Sequence, residues 1–413
     1  VTIVARTFLV FIPLAWVTLS GPVQGAMLLG MGMLALFEAV RLRRARDLFA
    51  MWPMAILVLI WSAWGQKLNM APPIDLLPPR PFLTAFVFAS AAGVCIREYA
   101  KRSQAQTLLG LQAGALFLTA IGVYIAFSGE AADAVSVDGG QVIRENPEFG
   151  FTILGVFNAD NIVVGIISYT IYAALMLPLV LLEIPLLASI GCLGLSGLAL
   201  ALNLKLVTRS VFLALAVGIA TVVFTLLRDR AHLNTLLLLR KTVVVTCLAA
   251  IGLVAVALAP SGFDLFTDRL ADSTEDPRWD IWAESIRIIP QMPWGDGYKM
   301  LTLHFWAHNV ILDAALFNGI PGLIVMIGIY SLIVWRVART FFARGVATRP
   351  VEVYLVACTA GLLAVQMLMP PMLQLSTFLF FVYGALGRPG SHEEDAAEQT
   401  DAASEGDGEP MRA

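Results

Sequence analysis

The sequence predicts an all-α polytopic membrane protein with about twelve transmembrane helices. Three observations predict it. The 413 residues are 58% hydrophobic and only 14% charged, with a mean hydropathy of +0.79. That is too little charge to cover a soluble surface of this size. Apolar stretches of about 17–25 residues recur from end to end, the length a helix needs to cross a bilayer. Every second connection between them is rich in arginine, as expected of a chain that alternates sides. A β-barrel is excluded, because its strands would alternate apolar and polar at every second residue.

Hydropathy places the spans near 3–20, 22–40, 48–64, 82–96, 105–128, 161–182, 185–203, 210–227, 242–260, 320–335, 351–368 and 372–387. The first stretch runs through Gly21-Pro22 straight into the second, so it reads as a span and not as a cleaved signal. Four links carry fifteen cations: "RLRRARD" (41–47), "REYAKRS" (97–103), 228–241 and 336–349. The positive-inside rule puts all four in the cytoplasm, and the alternation then leaves both termini inside. Segments 65–81, 129–160, 205–209 and 261–308 face outward. Residues 1–387 form one transmembrane domain. The acidic tail 388–413, "SHEEDAAEQTDAASEGDGEP" and its flanks, buries too little apolar surface to fold and is expected to be a disordered cytoplasmic extension.

Cys95, Cys192, Cys247 and Cys358 each sit in an apolar stretch without a CxxC neighbour, so they read as small buried residues and not as a zinc or disulfide framework. No phosphate-binding glycine loop, dinucleotide fingerprint or GxSxG elbow is present. Nucleic-acid binding has no support, because the basic clusters are short and lie at span ends.

The outward side holds the polar residues whose placement is costly. Arg209, in "LKLVTRSVFLAL", stands at the outer mouth of a span; within a span an arginine costs roughly 2.5–3.5 kcal/mol at mid-depth and less near the interface. Arg278 opens "RWDIWAESIRIIP". There Trp279, Trp282, Ile286 and Ile289 recur at helical spacing until Pro290, which predicts an amphipathic helix lying in the outer interface with tryptophans at headgroup depth. Both arginines also read as snorkelling anchors, and Arg278 also as a partner of Glu275 or Asp276.

The third group is "AHNVILDAALFNGIPG" (307–322). His304 and His308 are spaced to share a helix face as metal ligands, but no zincin glutamate follows His304 and no third ligand is evident; a histidine at a helix start is the alternative. Outer carboxylates such as Asp160, Asp272, Glu275 and Asp276 are scattered among other charges and read as solvated loop surface. Residues 310–318 make a half-helix of about 13 Å, too short to span, with Asn309 as its N-cap and Asp313 facing either a cavity or an arginine. Gly319-Ile320-Pro321-Gly322 breaks it before the true span begins.

Taken together and in order, these segments resemble the O-antigen ligase and Wzy-type polymerase superfamily of bacterial membrane glycosyltransferases. "TRSVFLAL" (208–215) is similar to that family's Ser-Arg-Gly span start, with Thr208 and Ser210 replacing the flanking residues. "RWDIWAESIRIIPQMPWGDGY" (278–298) is similar to its Arg-x-x-x-Trp segment and Pro-x-Gly-x-Gly turn. "AHNVILDAALFNGIPG" resembles its His-Asn, Leu, Gly, Pro-Gly signature, and "GVFNADN" (155–161) is a looser match to its Asn-Pro-Asn region. The specific part runs from Thr208 to Gly322.

The resemblance implies a GT-C-like fold whose periplasmic segment 261–319 carries the catalytic residues. It implies that Arg209 and Arg278 bind the diphosphate of an undecaprenyl-linked glycan donor and that His308 works at the reacting centre, with Asn309 and Asp313 in support. It implies no cofactor and no metal, a lipid-anchored glycan as acceptor, and residence in the bacterial inner membrane. The reaction would be inverting transfer onto a lipid A-core sugar. A polymerase, extending a second polyprenyl-linked glycan, is the alternative within the class. A lipid-glycan flippase or transporter is the alternative outside it, but that would favour mid-span charges and an internal repeat.

Overall fold

The computed structural model describes residues 2–11, 19–20, 22–68, 79–127, 135–138, 141–144, 151–153, 157–159, 170–205, 209–229, 278–296, 299–300, 307, 309–343, 345–367 and 373–386. Helices dominate them, and five are long and apolar enough to cross a membrane: 83–102, 104–123, 186–204, 210–228 and 310–341. The chain is a multi-pass α-helical membrane protein. Pro22–Arg41 is a further 20-residue helix, and Trp52–Leu68, Pro350–Gln366 and Leu373–Ala385 are shorter. The first span is described as a helix over Ile3–Phe11 only. The spans expected at 161–182 and 242–260 lie partly and wholly outside the described residues, as does the tail 388–413.

Two small antiparallel sheets add to the helical reading. Val135–Asp138 pairs with Gln141–Arg144, with Asp138 opposite Gln141, and Phe157–Ala159 pairs with both Phe151–Ile153 and Leu19–Ser20. The first hairpin had a sequence signal: Gly139-Gly140 between alternating residues "VSVD" and "QVIR" is a strong two-residue hairpin pattern.

The helices pack antiparallel around two close approaches that bear on the site. Pro350–Gln366 lies against Arg209–Arg228, where a side chain on Gly361 would meet the Ala214 carbonyl oxygen at 2.7 Å. Trp52–Leu68 runs beside Val310–Phe341, with Leu57 against Gly328 and the Trp64 indole donating to the Asn318 carbonyl at 3.1 Å.

The described parts of the four arginine-rich links gather at one end. Arg97 pairs with Asp47, and Glu98 takes Arg44 at 3.0 Å and Lys101 at 3.2 Å. Glu38 binds both Arg41 and the Tyr99 hydroxyl, with Arg6 at 3.5 Å. Arg228 donates to the Phe341 carbonyl, and Asp229 accepts from the Ala347 amide at 3.2 Å. Gln104 accepts from the Val351 amide at 3.1 Å, and Arg336 lies over the Tyr383 ring at 3.4 Å. Such pairing lets half-buried charges sit at the ends of apolar helices, because each one removed from water keeps a partner.

The positive-inside rule assigns this end to the cytoplasm. Cysteines introduced at exposed positions test it. A membrane-impermeant maleimide is expected to label Lys299→Cys in intact spheroplasts and Arg102→Cys only after permeabilisation, against a parent that keeps its own cysteines. The reverse pattern overturns the assignment. Among the described residues, Cys95, Cys192 and Cys358 are buried and unpaired.

Candidate functional site

The chain from Arg278 onward folds back onto the start of the broken helix. Arg278–Ile288 is a helix with Arg278 as its first residue, followed by a 3-10 turn over Ile289–Gln291. The amphipathic expectation holds, but its aromatic residues divide. Trp279 and Ile286, seven residues apart, are 57% and 62% exposed. Trp282 and Ile289, equally spaced, turn inward with Ile288 and Met292 and pack with Leu312, Leu316 and Phe317 of the broken helix. The Trp282 indole donates to the Ala307 carbonyl at 2.7 Å, which gives a Trp N–H turned away from water its acceptor.

The break itself is as the glycines and proline predict. Val310–Phe341 has one non-helical residue, Gly319, at φ 68, ψ −165, a region that only glycine occupies readily. Its neighbour across space is Gly295, at φ 79, in the turn "PWGD". A side chain on Gly319 would run into the backbone of Pro293, Trp294 and Gly295; one on Gly295 would strike Gly319, Phe317 and Asn318. Two glycine motifs read separately from sequence thus interlock backbone to backbone.

The interlock also answers where the polar groups of a broken membrane helix go, which lipid cannot satisfy. The Ile320 amide donates to the Pro293 carbonyl at 2.8 Å, and the Leu316 carbonyl accepts from Asp296 at 3.1 Å. The Asn318 carbonyl takes the Trp64 indole, and that ring lies 6.1 Å from Trp294.

Asn309 caps the half-helix as expected: its side-chain oxygen accepts from the Ile311 and Leu312 amides at 3.0 and 3.2 Å. Its side-chain nitrogen donates to the Met367 carbonyl at 3.1 Å, tying the cap to the end of Pro350–Gln366. The Asp313 carboxylate accepts from the Ala307 amide at 2.8 Å and from the Asn309 amide at 3.2 Å, two backbone partners that the sequence did not suggest.

Arg209 opens the helix Arg209–Arg228, at the end away from the arginine-rich links. That helix packs on Pro350–Gln366, whose far end holds Asn309. The fold therefore brings Arg278, Asn309 and Asp313 into one assembly and reaches Arg209 through a neighbouring helix. His308 and His304 lie outside the described residues, as do Glu275, Asp276 and the side chain of Arg209. Among the described residues, no three His, Cys, Asp or Glu side chains group to hold a metal ion. Sequence reasoning missed Trp64 and Met367, which carry no motif and act through one indole N–H and one carbonyl.

A family model described as O-Antigen ligase matches residues 191–327. No curated protein matches the chain. The matched stretch contains Arg209, Arg278, the Ala307–Asn309 corner, Asp313 and both interlocking glycines. Over residues 191–327 the chain is thus similar to the O-antigen ligase family.

Proposed function

We propose that the protein transfers a glycan from undecaprenyl diphosphate to a hydroxyl of a lipid-anchored acceptor, a lipid A-core sugar, at the periplasmic face of the inner membrane. The observation that carries this reading is the indole bond from Trp282 to Ala307 inside the O-antigen ligase match: it ties the helix begun by Arg278 to the corner that bears His308.

In this reading residues 1–387 are the glycosyltransferase domain and the segment 261–319 its catalytic part. Departure of the lipid diphosphate is the hard step, because negative charge grows on the bridging oxygen. Guanidinium groups of Arg209 and Arg278, held at a membrane rim of low dielectric constant, stabilise that charge through paired hydrogen bonds without a metal ion. Neutral imidazole at His308 accepts the acceptor hydroxyl proton, since its ordinary pKa lies near working pH. A single displacement inverts the anomeric carbon.

The test is a transfer assay in purified membranes with radiolabelled undecaprenyl diphosphate glycan prepared from the source cells. His308→Ala is expected to lose at least about 100-fold in transfer, the scale of removing a positioned acid–base group, while still binding donor. A chelator is expected to leave the wild-type rate unchanged. Full activity in His308→Ala, or chelator inhibition that Mg²⁺ reverses, overturns the mechanism.

A further inference from the structure

The chain on both sides of position 308 is bonded more heavily than a helix start requires. Ala307 is 0% exposed. Its N–H goes to Asp313 Oδ1 at 2.8 Å and its carbonyl to the Trp282 indole at 2.7 Å. The Asn309 N–H goes to Asp313 Oδ2 at 3.2 Å, and its carbonyl accepts from the Asp313 amide at 2.8 Å.

The Asn309 side chain already caps the helix by itself. Asp313 is therefore surplus to capping, and it is 1% exposed in an apolar helix, where an ionisable group is costly unless it does something specific. Both of its oxygens are spent on residues 307 and 309. Trp282, which holds the other side of Ala307, lies four residues after Arg278, one turn along the same helix face.

We propose that Asp313 and Trp282 are positioning residues of the transfer centre. Asp313 fixes the backbone before and after His308, and Trp282 sets that corner in register with Arg278, so that base and diphosphate ligand keep one separation. The inference rests on the reading of His308 and Arg278 given above. A displacement of about 1 Å at a reacting centre costs on the order of 100-fold in rate, so loss of either bond should be read in turnover and not in donor affinity.

Asp313→Asn retains one acceptor and turns an amide N–H toward the other backbone N–H. Trp282→Phe keeps an aromatic ring and loses only the donor. In the full-length protein, with turnover counted per donor-binding site, each is expected to lower kcat by about 10- to 100-fold while the donor KM stays within about twofold. Melting temperatures are expected to stay within about 3 °C of wild type. Because the two bonds hold one residue from opposite sides, the double variant is expected to lose far less than the product of the single losses.

Wild-type kcat in both single variants, a loss confined to KM, or independent multiplicative losses each overturn the proposal. His308→Ala and Arg278→Ala in the same membranes separate the two levels. Full activity in those overturns the parent reading; inactivity there beside normal Asp313→Asn and Trp282→Phe overturns only the positioning role.

Discussion

Gly319→Ala is expected to yield little folded protein and no measurable transfer. Two costs add at this residue. The backbone at φ 68, ψ −165 is hostile to any side chain, worth about 1–3 kcal/mol. The added methyl would also overlap the backbone of residues 293–295, which cannot rotate away as a side chain tip can. The turn must then part from the break, and the bonds from Ile320 to Pro293 and from Asp296 to Leu316 are lost in a setting with little water. Each such bond contributes about 1 kcal/mol net and costs more when left unmade. The sum is several kcal/mol, against a total stability of about 5–15 kcal/mol for a typical domain.

Gly345→Ala supplies the control. Gly345 has φ 70 but nothing within 4 Å of an added methyl, so only the conformational cost applies, and near-normal yield is expected. Size-exclusion profiles in detergent and transfer rates check both variants. Gly319→Ala behaving like Gly345→Ala would show that the interlock is dispensable.

Arg278→Ala is expected to weaken binding of undecaprenyl diphosphate glycan and to lower transfer by about 100- to 1000-fold. That is the scale of removing one partner from a desolvated charge pair, about 3–4 kcal/mol. Arg278→Lys is expected to restore less than a tenth of the loss, because an ammonium cannot offer the paired, planar donors that grip a phosphate. The contrast matters for the alternative in which Arg278 only anchors the helix at the interface, where lysine would serve equally well.

Arg287→Ala on the same helix is the control. Arg287 is exposed and sits 3.6 Å from Glu284, and surface pairs of this kind contribute about 0–1 kcal/mol. Donor binding and transfer are expected to be unchanged there. Equal donor affinity in Arg278→Ala and wild type would remove the diphosphate role.

Much of this was legible in the linear chain, and residue by residue the reason is the same. Hydropathy located the long apolar helices among the described residues, and arginine placement matched the gathering of the described parts of four links at one end, because insertion energy depends on local composition. Asn309 was recognisable as a cap and Gly319 to Gly322 as a break, since capping and φ restriction act within one helical turn. Arg278 could be put at the head of an amphipathic helix from periodicity alone. The partner of Trp282 was not legible: spacing shows that an aromatic lies on a face but not what that face meets. The partners of Asp313 were not legible because they are backbone N–H groups, which every residue type except proline presents alike.

By itself, then, the sequence determined the membrane class, the charged end, the half-helix and the cap, all consequences of interactions between near neighbours. Only the tertiary structure decided that Gly295 meets Gly319, that Trp64 and Trp282 donate to the Asn318 and Ala307 carbonyls, and that Asp313 accepts from Ala307 and Asn309. Most of those contacts join backbone groups or glycines that are far apart in the chain and identical in kind. Which of them meet is fixed by how the helices pack, not by the residues' identity.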